Sequence, residues 1–231
     1  MRGKTGRGER SDATRELILA TAERLFAEHG VFAVSNRQVS EAAGQGNNAA
    51  VGYHFGTKTD LVRAIARKHA EPVERLRLRM VVEVGESPGV RDWVTCLVRP
   101  STDHLASLDS PTWYARFTAQ AMTDPGLREI MVHESLGAPS LRRIIQGLDD
   151  CLSDLPAEVR AERSDMARQL MVHMCAERER ALALGTDTPR SSWHDAGTGL
   201  IDAIVGLWQA PVTPSTAVTR HGRHRPLNIT P

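Results

Sequence analysis

Two adjacent amides, Asn47 and Asn48, follow the turn Gly44-Gln45-Gly46 and precede Ala49, Ala50 and then Val51-Gly52-Tyr53-His54-Phe55. A carboxamide can bond both N6 and N7 of an adenine, and a small alanine admits close approach and touches a thymine methyl. Asn47, Asn48, Ala49 and Ala50 are therefore candidates for contact with base edges. A second set suits phosphates. Ser35, Arg37 and Gln38 open one helical segment, and Thr57 and Lys58 open another. Helix starts of this kind present unpaired N–H groups and a positive dipole end to an anion. Tyr53 and His54 can reach phosphates nearby. Phosphate contacts set position, so only the Asn and Ala contacts would read sequence. Two plainer readings stand beside these. The stretch N-N-A-A-V-G-Y-H-F also suits any surface helix, and Tyr53-His54 also suits packing against a preceding helix.

Other chemistry finds no support in the residues. There is no G-x-S-x-G, no glycine-rich phosphate loop and no clustered triad, so no enzyme is expected. His173-Met174-Cys175 matches no zinc spacing and reads as core, and no metal or cofactor is expected. Asp149-Asp150 and Glu177/Glu179 read as solvated helix faces. Three cysteines without a C-x-x-C pair read as reduced thiols of a cytoplasmic protein. No run approaches the roughly 18 apolar residues of a membrane span, and the basic N-terminus leads into no signal-like apolar segment.

The elements that would position these side chains are helices throughout. Ser11 or Asp12 can cap a first helix with Ile18, Ala22, Leu25 and Phe26 on one face, ended by Gly30. Ser35 and Gln38 form a capping box, with Val34 and Val39 as its hydrophobic staple. Gly44 ends that short helix, Asn47 caps a third, and a fourth runs from Thr57 towards Met80. Val51 and Phe55, four apart, would anchor the third helix inward. Two short helices across a glycine turn, braced by a longer one, make a helix-turn-helix whose second helix enters the major groove. Further helices are predicted over Trp93–Leu108 with a break at Pro100, Thr112–Thr123, Leu127–Leu136, Ser140–Leu155, Pro156–Leu184 and Ser191–Gln209. The chain from Pro211 reads as a disordered tail.

The net charge of +1 hides an asymmetry. Residues 1–80 hold 14 Lys+Arg against 9 Asp+Glu, while residues 81–218 hold 12 against 19. A basic front on an acidic body suits a front that meets a polyanion. The arm bearing Arg2, Lys4, Arg7 and Arg10 either reaches a minor groove or is a disordered basic tail. The Arg220–Arg225 run has no assigned role.

Residues 14–68 resemble the N-terminal domain of the tetracycline-repressor (TetR) family of bacterial transcription regulators. The resemblance rests on I-L-A-T-A-E-R-L-F-A-E-H-G, V-S-N-R-Q-V-S-E-A-A-G and Y-H-F-G-T-K-T-D-L. The turn G-Q-G-N-N is one residue longer than the usual family spacing, and Gly52 stands where many members have the tyrosine. Which of Asn47 and Asn48 faces the groove therefore stays open. The resemblance implies an all-helical homodimer whose heads sit roughly 34–36 Å apart on a near-palindromic operator. The implied division is a disordered basic arm (1–11), a three-helix DNA-binding domain (12–56), a helical ligand-binding and dimerisation domain (57–210) and a disordered tail (211–231).

The resemblance also implies a small-molecule pocket in the body. Trp93, Trp113, Tyr114, Phe117, Met122, Met131, Met171 and Met174 are its candidates, and they suggest a hydrophobic or aromatic effector. The stripes of the last two helices, with Met166, Leu170, Gly197, Leu200, Ile204 and Trp208, would meet a second copy in a four-helix bundle. A repressor released by its effector is the expected function. An activator of the same fold, or a helical small-molecule-binding protein without DNA binding, are the alternatives.

Overall fold

Apolar side chains at helical spacing give almost every segment one stripe to bury. The computed structural model describes residues 5–47 and 49–213, and among them it holds ten helices and no strand. Helix α1 (Thr5–His29) buries Ile18, Leu19, Ala22 and Phe26 along one face. Gly30 ends it at φ 86°, a left-handed conformation that suits glycine, and its amide donates to the Phe26 carbonyl at 2.9 Å. α1 begins well before the expected cap at Ser11 or Asp12. Residues 5–11 are thus helical, a correction to the disordered arm expected over 1–11. Once the buried turns have nucleated, each added residue gains a hydrogen bond without a new nucleation cost, and no proline intervenes. Residues 1–4 and 214–231, with most of the expected tail, lie outside the described residues.

α2 (Asn36–Ala42) starts on the predicted capping box. The Gln38 amide donates to Ser35 Oγ at 3.2 Å, and the Ser35 amide donates back to Gln38 Oε1 at 2.8 Å. Val34 and Val39 are both buried, as the staple requires. α3 (Ala50–Phe55) follows, then α4 (Lys58–Glu83), where Thr57 and Asp60 repeat the box. The Thr57 hydroxyl and amide, with Arg63 adding to them, hold the Asp60 carboxyl below its usual pKa.

The body consists of α5 (Val90–Ser107), α6 (Tyr114–Thr123), α7 (Pro125–Leu136), α8 (Pro139–Cys151), α9 (Ala157–Leu184) and α10 (Trp193–Gln209). The expected break at Pro100 does not occur. Pro100 lies inside α5, as Pro72 lies inside α4. A proline removes one hydrogen bond at the carbonyl four residues back. Here Pro100 is itself buried, and burial of Trp93, Val94, Cys96, Val98 and Leu105 along α5 outweighs that loss. Glu179 is a second correction. It is 1% exposed, not solvated. Its carboxylate accepts from the amides of Ala115 (3.2 Å) and Arg116 (2.9 Å) and from Arg116 Nε (3.2 Å). It thereby caps α6, whose own N-cap residue, Trp113, makes no side-chain capping bond.

Two apolar clusters hold the chain. The first joins α1–α4 to α6 and α7, and the Phe26 and Phe117 rings stack across it at 6.3 Å. It continues past the expected division between 56 and 57. The second joins α5 to α8, α9 and α10. There α10 nests against α5. A Cβ on Gly197 would fall 2.7 Å from Thr102 Oγ1, so only glycine permits that approach. Gly197, Leu200, Ile204 and Trp208 are all buried within the single chain. This corrects their assignment to a dimer interface, because α5 supplies the apolar face that a second copy was expected to supply. Of the other two candidates, Leu170 packs against the second cluster and Met166 is 44% exposed. No helix among the described residues is long and apolar enough to cross a membrane.

Candidate nucleic-acid interface

The head presents α3 on a short, braced pair. Ser40 Oγ accepts from the Val51 amide at 3.3 Å and donates to the Asn36 carbonyl at 3.1 Å, tying α2 to α3. Val51 is fully buried, and the Arg15 guanidinium lies 4.6 Å over the half-buried Phe55 ring. α3 is thus anchored by Val51 and Phe55, as their spacing predicts. Ala50 differs from expectation. It is only 7% exposed and belongs to the first cluster, so it packs inward and is not available to a thymine methyl. Ala49 is exposed and holds the N-cap position.

Asn47 sits two residues ahead of that cap. Its Oδ1 accepts from the Ala49 amide at 2.9 Å and its carbonyl accepts from the Ala50 amide at 2.9 Å. It therefore shapes the turn into α3 as an Asx turn and is not the N-cap residue. Its Nδ2 hydrogens remain as donors. Asn48 lies outside the described residues.

Tyr53 is 83% exposed, with its ring edge-on to His54 at 5.0 Å. Packing against α1 therefore does not account for Tyr53, while His54 is half-buried. Ser35, Arg37, Gln38 and Thr57 are exposed. Arg37 Nε donates to Glu41 Oε1 at 2.7 Å, which raises the guanidinium pKa. Lys58 Nζ donates to the Val31 carbonyl at 3.1 Å, and partial burial lowers its pKa.

The body holds a cavity of ≈ 1080 Å³. Its lining draws on all of α4–α10, with α4 contributing from Ala66 to Arg77. Among the sequence candidates, Tyr114, Met122, Met131 and Met171 line it; the other four do not. Trp93 is wedged against α8, where a Cβ on Gly147 would fall 2.1 Å from its ring. Trp113 lies under the Arg116 guanidinium at 4.4 Å. Phe117 is core, and Met174 is 51% exposed on the outer face of α9. Arg77 and Trp208 line the cavity and were missed as candidates for it. For Arg77 the usable signal was periodicity. His69, Val73 and Arg77 recur every four residues on the buried stripe of α4, so two ionisable residues stand where apolar ones belong.

His69 opens a buried chain of polar groups. Its Nε2 meets Glu23 Oε2 of α1 at 2.9 Å, and its Nδ1 meets His104 Nε2 of α5 at 2.8 Å. Its ring stacks on Tyr114 of α6 at 3.8 Å. A carboxylate only accepts, so His69 Nε2–H donates to Glu23; a neutral His69 then accepts from His104 Nε2–H. Burial, with the neighbouring His69 next, depresses the His104 pKa to about 4. Burial pushes Tyr114 up to about 12. Among the described residues no group of three or more His, Cys, Asp or Glu could hold a metal ion.

Comparison with known proteins agrees with this architecture. The family described as bacterial regulatory proteins, tetR family, matches residues 18–65, and the tetracyclin repressor-like C-terminal domain matches residues 95–206. The HTH-type transcriptional repressor AcnR of Corynebacterium glutamicum is 30% identical over 156 residues, covering 66% of this chain and 76% of that protein. The crystal structure of Mycobacterium smegmatis AmtR aligns with TM-score 0.54 at 19% identity over 82% of this chain and 85% of its own. PfmR of Thermus thermophilus aligns with TM-score 0.53 at 17% identity over 81% and 96%. The two structures share the fold, and the matched sequence carries both halves of it: the chain belongs to the TetR family of DNA-binding transcription regulators.

Proposed function

We propose that this regulator is a repressor that binds a near-palindromic operator as a homodimer and leaves it when a small, largely apolar effector enters the body cavity. The single observation that carries the reading is α4. It opens in the head on the Thr57 cap and Lys58, and from Ala66 to Arg77 it lines the cavity. A ligand that favours one placement of α4 biases the head by the ratio of its affinities for the two states. The bridge from Glu23 through His69 to His104 and Tyr114 binds α1 to the same lever. That AcnR is a repressor favours repression over activation.

Asn47, Asn48 and Ala49 are the base-reading set, with Ser35, Arg37, Gln38, Tyr53, His54, Thr57 and Lys58 on phosphates. The head ends near residue 56 and the effector and dimerisation body spans 57–210. The dimer face is the outer side of α9 and α10, where Met166, Met174, Ala203 and Gly206 are exposed. Selection of bound fragments from random genomic DNA at near-physiological salt tests the reading, with Asn47→Ala and Asn48→Ala alongside. The expected result is a palindrome that one asparagine change relaxes at one position in each half. Only sequence-blind, salt-labile binding would move the helical small-molecule-binding protein to first place.

A further inference from the structure

The cavity lining carries buried hydrogen-bond donors without acceptors. Arg77 Nε, Arg168 Nη1, Trp208 Nε1 and Thr118 Oγ1 are each buried and have no partner among the described residues, and all four residues line the cavity. Arg77 is 8% exposed, yet its guanidinium makes one hydrogen bond among the described residues, from Nη1 to Glu74 at 3.4 Å. That distance is at the weak end of the range. Glu74 is moreover engaged elsewhere, since it accepts from the Ser140 amide at 3.2 Å and from the Ser140 hydroxyl. The other lining carboxylates are committed or outside. Glu134 pairs with Arg63 and Arg67, Asp165 with Arg168, and Glu71 is exposed.

An arginine does not shed its charge to relieve burial. A desolvated guanidinium with an unmade Nε–H bond is costly unless an acceptor meets it, and an anionic acceptor serves best. Three of these groups are N–H donors that cannot accept, and the Thr118 hydroxyl can donate beside them. The rest of the wall, with Met122, Met131, Ile144, Leu148 and Met171, is apolar. We infer that the effector is a carboxylate on an apolar body, its carboxylate held by the Arg77 guanidinium and its body against the methionines. This assignment rests on the reading of the cavity as the effector site and names the class of molecule that fills it. A neutral ketone or alcohol would meet an N–H only with a weaker, uncharged bond.

The test compares matched acid and alcohol probes on the full chain, decanoate against 1-decanol and 1-naphthoate against 1-naphthalenemethanol. Calorimetry and thermal shift are the readouts. At least one acid should bind about tenfold or more tighter than its alcohol, the equivalent of one charge-assisted hydrogen bond. Arg77→Met should erase that preference, and Arg77→Lys should keep part of it. Without ligand, Arg77→Met removes the 3.4 Å partner of Glu74 and is expected to melt somewhat lower than the native chain. An acid preference unchanged in both Arg77→Lys and Arg77→Met would make Arg77 a structural partner of Glu74 alone and overturn the assignment. Equal binding of acid and alcohol, absence of binding by both acids, or a preference that survives Arg77→Met would also overturn it. Should the methionine variant fail to fold, the acid-to-alcohol ratio of the native chain decides alone. Operator selection needs no probe, so its failure marks the repressor reading and the loss of acid preference marks this inference.

Discussion

Lys58 shows how one side chain serves two masters at the head. Its amine is tied to the Val31 carbonyl at the end of the α1 turn, while its position at the start of α4 suits a phosphate. Lys58→Met is expected to lower the slope of log affinity against log salt by about one, uniformly across operator sequences, because one phosphate neutralisation is lost. Fluorescence anisotropy across a salt series measures it, and an unchanged slope would remove Lys58 from the contact set. At this scale residue type was informative where chemistry is local: the Ser35–Gln38 and Thr57–Asp60 boxes are written in four consecutive residues each. It misled for Ala50 and Glu179. An alanine suits a groove or a core equally well, and a glutamate on a long helix looks solvated until another helix delivers its N-terminus to it.

Among the elements, α6 depends most on a neighbour. Glu179 of α9 satisfies two of its leading amides and pairs with Arg116 while almost fully buried. Glu179→Ala leaves Arg116 desolvated and those amides unmet. A loss of roughly 3–5 kcal/mol is expected, as for other broken buried pairs, read from the urea midpoint. A loss within the range of a surface pair would mean that water replaces the cap. α10 makes the complementary point. Its apolar stripe was legible from spacing, but the partner of that stripe was not, since α5 and a second copy offer equally apolar faces to a sequence reader.

For the whole molecule, acid should act through the Glu23–His69–His104 bridge that joins α1, α4 and α5. His104 has its pKa depressed from 6.5 to about 4, so between those values the unfolded chain binds the extra proton and the folded chain does not. Stability contributed by neutral His104 is complete above about pH 6.5 and drains away as pH falls towards 4. The groups facing it are His69 and Glu23 beyond it, Tyr114 on α6, and the more distant Arg75. Urea midpoints between pH 7 and 4 should fall, and His104→Gln should flatten that fall. An equal fall in the variant would place the acid sensitivity elsewhere. The proposed dimer face gives a second expectation at this scale. Ala203→Arg on the exposed side of α10 should yield folded monomers by sedimentation, with operator affinity lost, whereas Gly197→Val should prevent α10 from docking on α5 at all. A dimer that survives Ala203→Arg would direct attention to α9 alone.

What the sequence determined by itself was whatever spacing and short-range hydrogen bonding dictate. That includes the helical class, the glycine stops at Gly30 and Gly44, the two capping boxes, the inward anchors Val51 and Phe55, and the resemblance carried by residues 14–68. Each depends on residues within one or two turns, where helix geometry fixes who meets whom. Only the tertiary structure decided which apolar stripe meets which, that Gly197 serves α5, that Glu179 caps α6, and that Arg77 reaches a cavity with its Nε unpartnered. Those outcomes depend on contacts between helices far apart in the chain. Periodicity shows that a face is buried, but it does not show what the face is buried against.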